Sequence, residues 1–239
     1  MRLHRFIGNF DLSKKEVSIN DADFINQAKN VLRLRAGDEI ILCDGNMNET
    51  TARFAELGSL ASKLEILKVY RNENEPENYA HLYCPILKKE NFELAAQKAV
   101  EVGVKEITPI ITARTIKLGL NYERLNKIIK EAAEQSGRGI LSKLNKASDF
   151  EKSVDEAKNK NDLNLFFQTG YSLILQKNAD RPKNTECHIG IFVGPEGGWA
   201  DEEVKTAQSA GFTFAGLGKT VLRAETAAVV ASYVAVNIQ

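Results

Sequence analysis

Two glycine-rich stretches carry the residues best suited to chemistry. The first, FVGPEGGW, spans residues 192–199 and sets Glu196 between Pro195 and the pair Gly197 and Gly198. The second, GLGKTVLRAETA, spans residues 216–227, one strand–turn–helix unit later. Turns of this shape commonly hold nucleotides, yet phosphate chemistry fits neither. A P-loop needs a glycine five positions before the last one of its motif, and relative to Gly218 that position is Thr213. A dinucleotide fingerprint needs GxGxxG early in a βαβ unit, whereas GPEGGW has another spacing and comes late in the chain. Glu196 would also repel a pyrophosphate at a helix N-terminus, a place that otherwise attracts anions. A carboxylate there suits ribose hydroxyls, a backbone brace or a cationic centre, so a nucleoside without phosphates is the expected ligand. Taken singly, either stretch reads equally as a structural turn, with glycines permitting positive φ and Pro195 stiffening the approach.

The elements that must position these turns follow from periodicity. From about residue 80 strands and helices alternate: HLYCPIL, then the helix ENFELAAQKAVEVGV closed by Gly103, then KEITPIIT, then YERLNKIIKEAAEQSGR. LNLFFQTG and HIGIFVG read as buried strands, DEEVKTAQSAGF as a helix with an acidic first turn, and TFAGLG as the last strand. This rhythm predicts a mostly parallel α/β sheet, whose ligands bind beyond the C-terminal strand ends. Three such ends, including FFQTG, would form a pocket built largely from backbone. The last helix, AETAAVVASYVAVN, is apolar nearly all round and is expected to be buried, a subunit interface being one place for it. The first 70 residues read as mostly β, with DEIILCDG, ETTARFAEL and KLEILKVY as strands of a small barrel. A helix over about Asp21 to Leu34 precedes them, and the polar RNENEPENY is the expected linker.

Composition narrows the function classes. Of 239 residues, 43% are hydrophobic and 27% charged, ordinary for a globular protein. The opening MRLHRFIGNFDLSKK lacks an apolar core and a cleavage site, so no secretory signal is expected, and no apolar run is long enough to span a bilayer. Cys43, Cys84 and Cys187 are widely separated in apolar runs, which predicts buried thiols in a cytoplasmic protein. Three scattered histidines without CxxC or HExxH predict no metal centre. Basic and acidic residues balance at 32 each, but the segment from Lys105 to Lys146 holds nine basic residues against four acidic ones. That excess, with a basic first 35 residues, is either a solvated face or a footprint for nucleic acid.

FVGPEGGW followed by LGKTVLRAETA resembles the C-terminal signature of the RsmE family, SPOUT-superfamily methyltransferases acting on uridine N3 in small-subunit ribosomal RNA. Upstream, VLRLRAGDEI resembles that family's PUA-like domain, and KKENFELAAQKAVEVGVKEITPIITART and EAAEQSGR resemble the first half of its catalytic domain. The resemblance covers nearly the whole chain, in order. It implies a small PUA-like β-barrel at residues 1–72 and a SPOUT-type parallel α/β domain at 73–239 with a deep trefoil knot. It further implies S-adenosylmethionine held in the knot loops, a homodimer, and transfer of a methyl group to one uridine (expected at position 1498) of 16S ribosomal RNA. Other readings are a SPOUT methyltransferase acting elsewhere on RNA, and a non-catalytic RNA-binding dimer.

Residue by residue, the resemblance assigns Gly194, Pro195, Glu196, Gly197 and Gly198 to the first cofactor loop. Leu217, Gly218, Val221, Leu222 and Arg223 belong to the second, and Gln168 and Gly170 follow the preceding strand. Glu134, Gln135, Ser136 and Arg138 match a stretch facing the RNA, or else form a charged helix end stopped by Gly137. Arg5, Arg33 and Arg35 of the PUA-like domain, and Lys88, Lys89, Lys98 and Arg114 of the catalytic domain, are expected at phosphates or on a solvated face. Arg223 or Arg138 is the expected cation for the uracil anion, and Glu134 the candidate base. The chain departs from the family at Gln27 and Ala28, where His-Leu is usual, and after Arg138, where GILSKLNKA lacks the usual proline.

Overall fold

The structure, a computed structural model, describes residues 3–115, 119–171 and 186–238, with the side chain of Lys89 outside that set. The chain forms two compact units, one of Met1–Glu75 with Ala133–Leu141, the other of Pro76–Ala132 with Ser142–Gln239.

The first unit holds β1 (His4–Ile7), β2 (Glu16–Ile19), α1 (Ala22–Asn26), β3 (Glu39–Cys43), β4 (Asn48–Leu57) and β5 (Ser62–Arg71). They form one sheet in the order β1-β3-β4-β5-β2, and among the described residues no ladder joins its two end strands. The pairs are antiparallel except β1 with β3, where His4 to Ile7 run beside Ile40 to Cys43. Phe6, Phe24, Ile40, Leu42, Phe54 and Leu64 form the core, with the rings of Phe6 and Phe24 4.5 Å apart. The expected helix over residues 21–34 is shorter and irregular. Asp21 caps it, accepting from Phe24 N at 2.9 Å, but α1 passes into a π-helical turn at Gln27–Val31. Arg33, at φ 57°, has left the helical region altogether.

The segment Ala133–Leu141, read from sequence with the second domain, packs into the first unit through polar contacts. Arg138 donates from Nε and Nη2 to the two oxygens of Glu75 at 2.8 and 2.9 Å, both side chains being at most 5% exposed. Glu75 Oε1 also accepts from Gly139 N at 2.8 Å and from Ile140 N at 3.2 Å. Glu134 accepts from Ile7 N at 3.1 Å and from Gln27 Nε2 at 3.3 Å. A buried carboxylate and guanidinium paired in this bidentate way satisfy each other where water cannot.

The second unit contains β6 (Tyr79–Pro85), α2 (Lys89–Val102), β7 (Glu106–Ile111), α3 (Tyr122–Ser136), β8 (Lys143–Leu144), β9 (Ser148–Asp149), α4 (Phe150–Lys160), β10 (Leu163–Phe167), β11 (His188–Val193), α5 (Asp201–Ser209), β12 (Thr213–Ala215) and α6 (Ala224–Val236). From Ala133 on, α3 belongs to the first unit. All pairs are parallel, in the order β12-β10-β11-β6-β7-β8, with β9 also beside β7. β6 and β11 are buried along almost their whole length, as parallel strands covered on both faces must be. One face packs Tyr83, Phe150, Phe166, Phe192, Trp199 and Phe212 together, and α6 covers β6 and β11 beside α2. The chain between β10 and β11 passes through residues outside the described set, and the expected trefoil knot depends on that path. The three cysteines are buried. Among the described residues no helix is long and apolar enough to cross a membrane, and no group of His, Cys, Asp and Glu could hold a metal ion.

At the N-terminal ends of β6 and β7 lies a buried polar cluster. His81, fully buried, has Nε2 2.7 Å from Thr108 Oγ1. Glu106 accepts from Asn145 Nδ2 at 2.7 Å, Lys160 Nζ at 3.0 Å, Lys143 Nζ at 3.2 Å and Tyr79 OH at 3.1 Å. Burial lowers His81 to about 3, so its ring is neutral at physiological pH. Burial raises Glu106, but His81 and the donors from Asn145, Lys160 and Lys143 outweigh it and hold the carboxyl at about 2. Both folded values lie below the ordinary ones of 6.5 and 4.5, so on acidification the unfolded chain takes up protons first. Stability should fall as pH drops from 6.5 through 4.5 and below, by about 1 kcal/mol per pH unit for each group titrating. Urea midpoints at pH 7, 5.5 and 4.5 measure this; a His81→Leu chain should lose the part between 6.5 and 4.5.

Candidate functional site

The C-terminal strand ends of the second unit enclose a cavity of about 720 Å³. Its walls are Phe167 to Thr169 at the end of β10, Val193 to Glu196 with Gly198 and Trp199 at the end of β11, Leu217, Gly218 and Thr220 to Arg223 before α6, and the first turn of α6. Lys88 and Asn91, at the start of α2, complete it.

The loop after β11 is held from within. Gly198 N donates to Pro195 O at 2.8 Å, closing a turn that puts Gly198 at φ 73°, a value costly for any side chain. Trp199 Nε1 donates to Phe167 O at 3.0 Å and its ring stacks on Phe166 at 4.4 Å, tying this loop to the end of β10. Arg114 reaches Gly197 O, and Glu203 accepts from Ala113 N at 2.8 Å and Ala200 N at 2.7 Å, fixing the start of α5. The second loop approaches its neighbour just as closely. A Cβ on Gly216 would lie 2.7 Å from the carbonyl carbon of Tyr171 and nearer still to its oxygen.

The polar equipment suits an organic ligand without phosphates. Gln168 Oε1 and Glu225 Oε2 are buried with no hydrogen-bond partner in the structure. Glu196 and Glu225 put negative charge on the wall, and burial together with these two carboxylates pushes the underlying Cys84 thiol up. A Cβ on Gly194 would press to 3.1 Å from the Trp199 indole nitrogen, so a side chain here would require the indole to give by a few tenths of an ångström.

The sequence matches the RNA methyltransferase domain over residues 74–236 and the RNA methyltransferase PUA domain over residues 28–67. It is 30% identical over 240 residues to ribosomal RNA small subunit methyltransferase E of Rickettsia conorii, covering 97% of this chain and 94% of that one. The chain belongs to the ribosomal RNA small subunit methyltransferase E family. The Mesomycoplasma hyopneumoniae member is 36% identical over 174 residues, 71% of this chain and 74% of the relative. A methyltransferase E from Neisseria gonorrhoeae, solved bound to S-adenosylmethionine, superposes with TM-score 0.84 at 30% identity, over 97% of this chain and 95% of that one. A methyltransferase from Legionella pneumophila, solved with the same cofactor, gives 0.84 at 29% identity over 98% and 97%.

The residues assigned to the cofactor from sequence line the cavity, apart from Gly170 and Gly197. Gly170 sits at φ 89° in the turn after β10, and Gly197 supplies the carbonyl held by Arg114. Arg223 lines the cavity with its side chain exposed, as does Lys88. Glu134 and Arg138 do not line it; both are buried in the first unit in the contacts described above. Gln135 is exposed at the end of α3. Arg5 is ion-paired to Glu49, which is 2% exposed, whereas Arg33 and Arg35 are exposed. Lys98 pairs with Glu101 at 2.8 Å, Arg114 is exposed, and the Lys89 side chain lies outside the described residues. The family departure at Gln27 has a local meaning, because its amide meets Glu134; Ala28 is fully buried. Sequence reasoning passed over Glu225, Asn91 and Trp199 as cavity residues. RAETA places an acid at a helix start, which solvent-facing helices do as often, so the sequence carries no distinguishing signal for the first of these.

Proposed function

We propose that this chain transfers a methyl group from S-adenosylmethionine to N3 of one uridine in 16S ribosomal RNA. The observation that carries the reading is the cavity itself: glycine-lined, closed by three adjacent strand ends, and acidic where a nucleotide-binding turn would need to welcome phosphate. Gln168, Gly194, Gly198, Leu217, Gly218 and Leu222 would hold the cofactor, their bare backbone being free to read an adenine edge. When bound, S-adenosylmethionine supplies a methyl group activated by its sulfonium. The names and bound cofactor of the relatives point the same way.

The chain's own contribution is positioning and charge. Uracil N3 lies on the pairing edge, so the target base must be unpaired or extruded. We assign to Arg223, exposed on the cavity wall, the stabilisation of the anion that forms on the uracil oxygens as N3 loses its proton. The buried pairing of Arg138 with Glu75, and of Glu134 with Ile7 and Gln27, favours a structural role for both over a catalytic one. The homodimer and the knot belong to the same reading. Tyr233 on α6 and Leu94 on α2, two helices that pack together, are 59% and 43% exposed, as an apolar face awaiting a second copy would be.

The test is transfer of labelled methyl from S-adenosylmethionine to small ribosomal subunits of a strain lacking this protein, with the product located by digestion and mass spectrometry. A single N3-methyluridine is expected. Methylation at a ribose or another base would move the site of action, and absence of transfer with no cofactor binding would leave a non-catalytic RNA-binding protein.

A further inference from the structure

We propose that Glu225 is the anionic partner of a positive centre on the bound cofactor. The inference rests on the S-adenosylmethionine reading above and gives that site a charge-recognition residue.

Glu225 occupies the first turn of α6 and lines the cavity, yet it is only 7% exposed. Its Oε2 is shut off from solvent and has no hydrogen-bond partner, and among the described residues no lysine, arginine or histidine pairs with it. A carboxylate oxygen taken out of water without donor or counter-charge is destabilising, and the helix dipole at its own N-terminus offsets only part of that. Such a group makes physical sense where a ligand completes it.

The surrounding charges select the ligand's sign. Glu196 stands on the same cavity, and the thiol of Cys84 is pushed up by burial and then by the fields of Glu196 and Glu225 together. The cavity's cations, Lys88 and Arg223, are both exposed to solvent. Glu196 is exposed as well, so among the described lining residues the one buried charged side chain is Glu225. A buried anion of this kind takes a cation as its ligand. S-adenosylmethionine has two positive centres, the sulfonium and the ammonium of its amino-acid part, and either would complete Glu225.

Calorimetric titration of the wild type and Glu225→Gln with three ligands tests this. S-adenosylmethionine carries both centres, S-adenosylhomocysteine only the ammonium, and 5′-methylthioadenosine neither. The substitution should weaken S-adenosylmethionine tenfold or more and leave methylthioadenosine within twofold. A parallel loss for S-adenosylhomocysteine would mark the ammonium as the partner, and an unchanged affinity the sulfonium. The ligand-free Glu225→Gln protein should melt no lower than the wild type, because an unpaired buried charge has been removed. Glu225→Asp, which keeps the charge, should retain most of the binding. The proposal is overturned if Glu225→Gln holds S-adenosylmethionine within twofold, or loses methylthioadenosine equally. A wild type that binds none of the three would instead overturn the cofactor reading.

Discussion

Replacing Gly216 with alanine is expected to weaken S-adenosylmethionine binding by roughly ten- to a hundredfold while leaving most of the fold in place. Gly216 follows β12 and opens the loop in which Leu217, Gly218 and Thr220 to Arg223 form one wall of the cavity. The new Cβ would meet the Tyr171 backbone, 2.7 Å from its carbonyl carbon and closer to the oxygen, and no rotation of a side chain could relieve a clash with main chain. Either this loop or the turn after β10 must shift, and both contribute walls. Forced overpacking of this kind costs about 1–3 kcal/mol, which corresponds to roughly one to two orders of magnitude in affinity when the strain is relieved at the ligand's expense. Calorimetric titration gives the affinity, and thermal melting separates a local change from a global one. Wild-type affinity in a Gly216→Ala protein would show that the two loops do not shape the cofactor site.

The second large effect concerns the first unit. Glu75→Ala should lower stability by about 3–5 kcal/mol, the usual result of removing one partner of a buried ion pair. The Glu75 carboxylate receives two nitrogens of Arg138 and two main-chain amides, and all four donors lose this acceptor in a region almost closed to water. The double replacement Glu75→Leu with Arg138→Met should be milder than the single change, because no charge is left unpaired. Urea denaturation of the three proteins measures the ordering. If Arg138 were chiefly an RNA contact, Glu75→Ala would unfold the protein little and Arg138→Met would cost activity out of proportion to stability.

These two sites differ in how much of them could be read from sequence. The glycine turns were legible because a turn is a local object: Pro195, Gly198 and Gly218 constrain the chain within a few residues of themselves. The succession of strands and helices beyond residue 80 was legible for the same reason, since buried parallel strands appear as continuous apolar runs. α4 was missed because FEKSVDEAKNK buries only a narrow stripe, Phe150, Ser153, Val154 and Ala157, beneath a mostly charged surface. β1 was missed because its partner β3 lies more than thirty residues on and runs parallel, so no hairpin turn announces it. The pairing of Arg138 with Glu75 crosses 63 residues, and in sequence both are just charged residues in polar surroundings. Glu225 was passed over because nothing in RAETA distinguishes a helix-start acid facing solvent from one turned into a cavity.

Trp199 is the one tryptophan of the chain. Its indole is 8% exposed, stacks on Phe166, is tethered through its nitrogen to Phe167 and lines the cavity. The protein's whole indole emission therefore arises at the ligand wall, from a ring in one fixed orientation. A bound adenine or a change in the charge of Glu225 would alter the colour and yield of that emission without any label. Nature has in effect installed a single lamp inside the binding site, and its spectrum reports on that site alone.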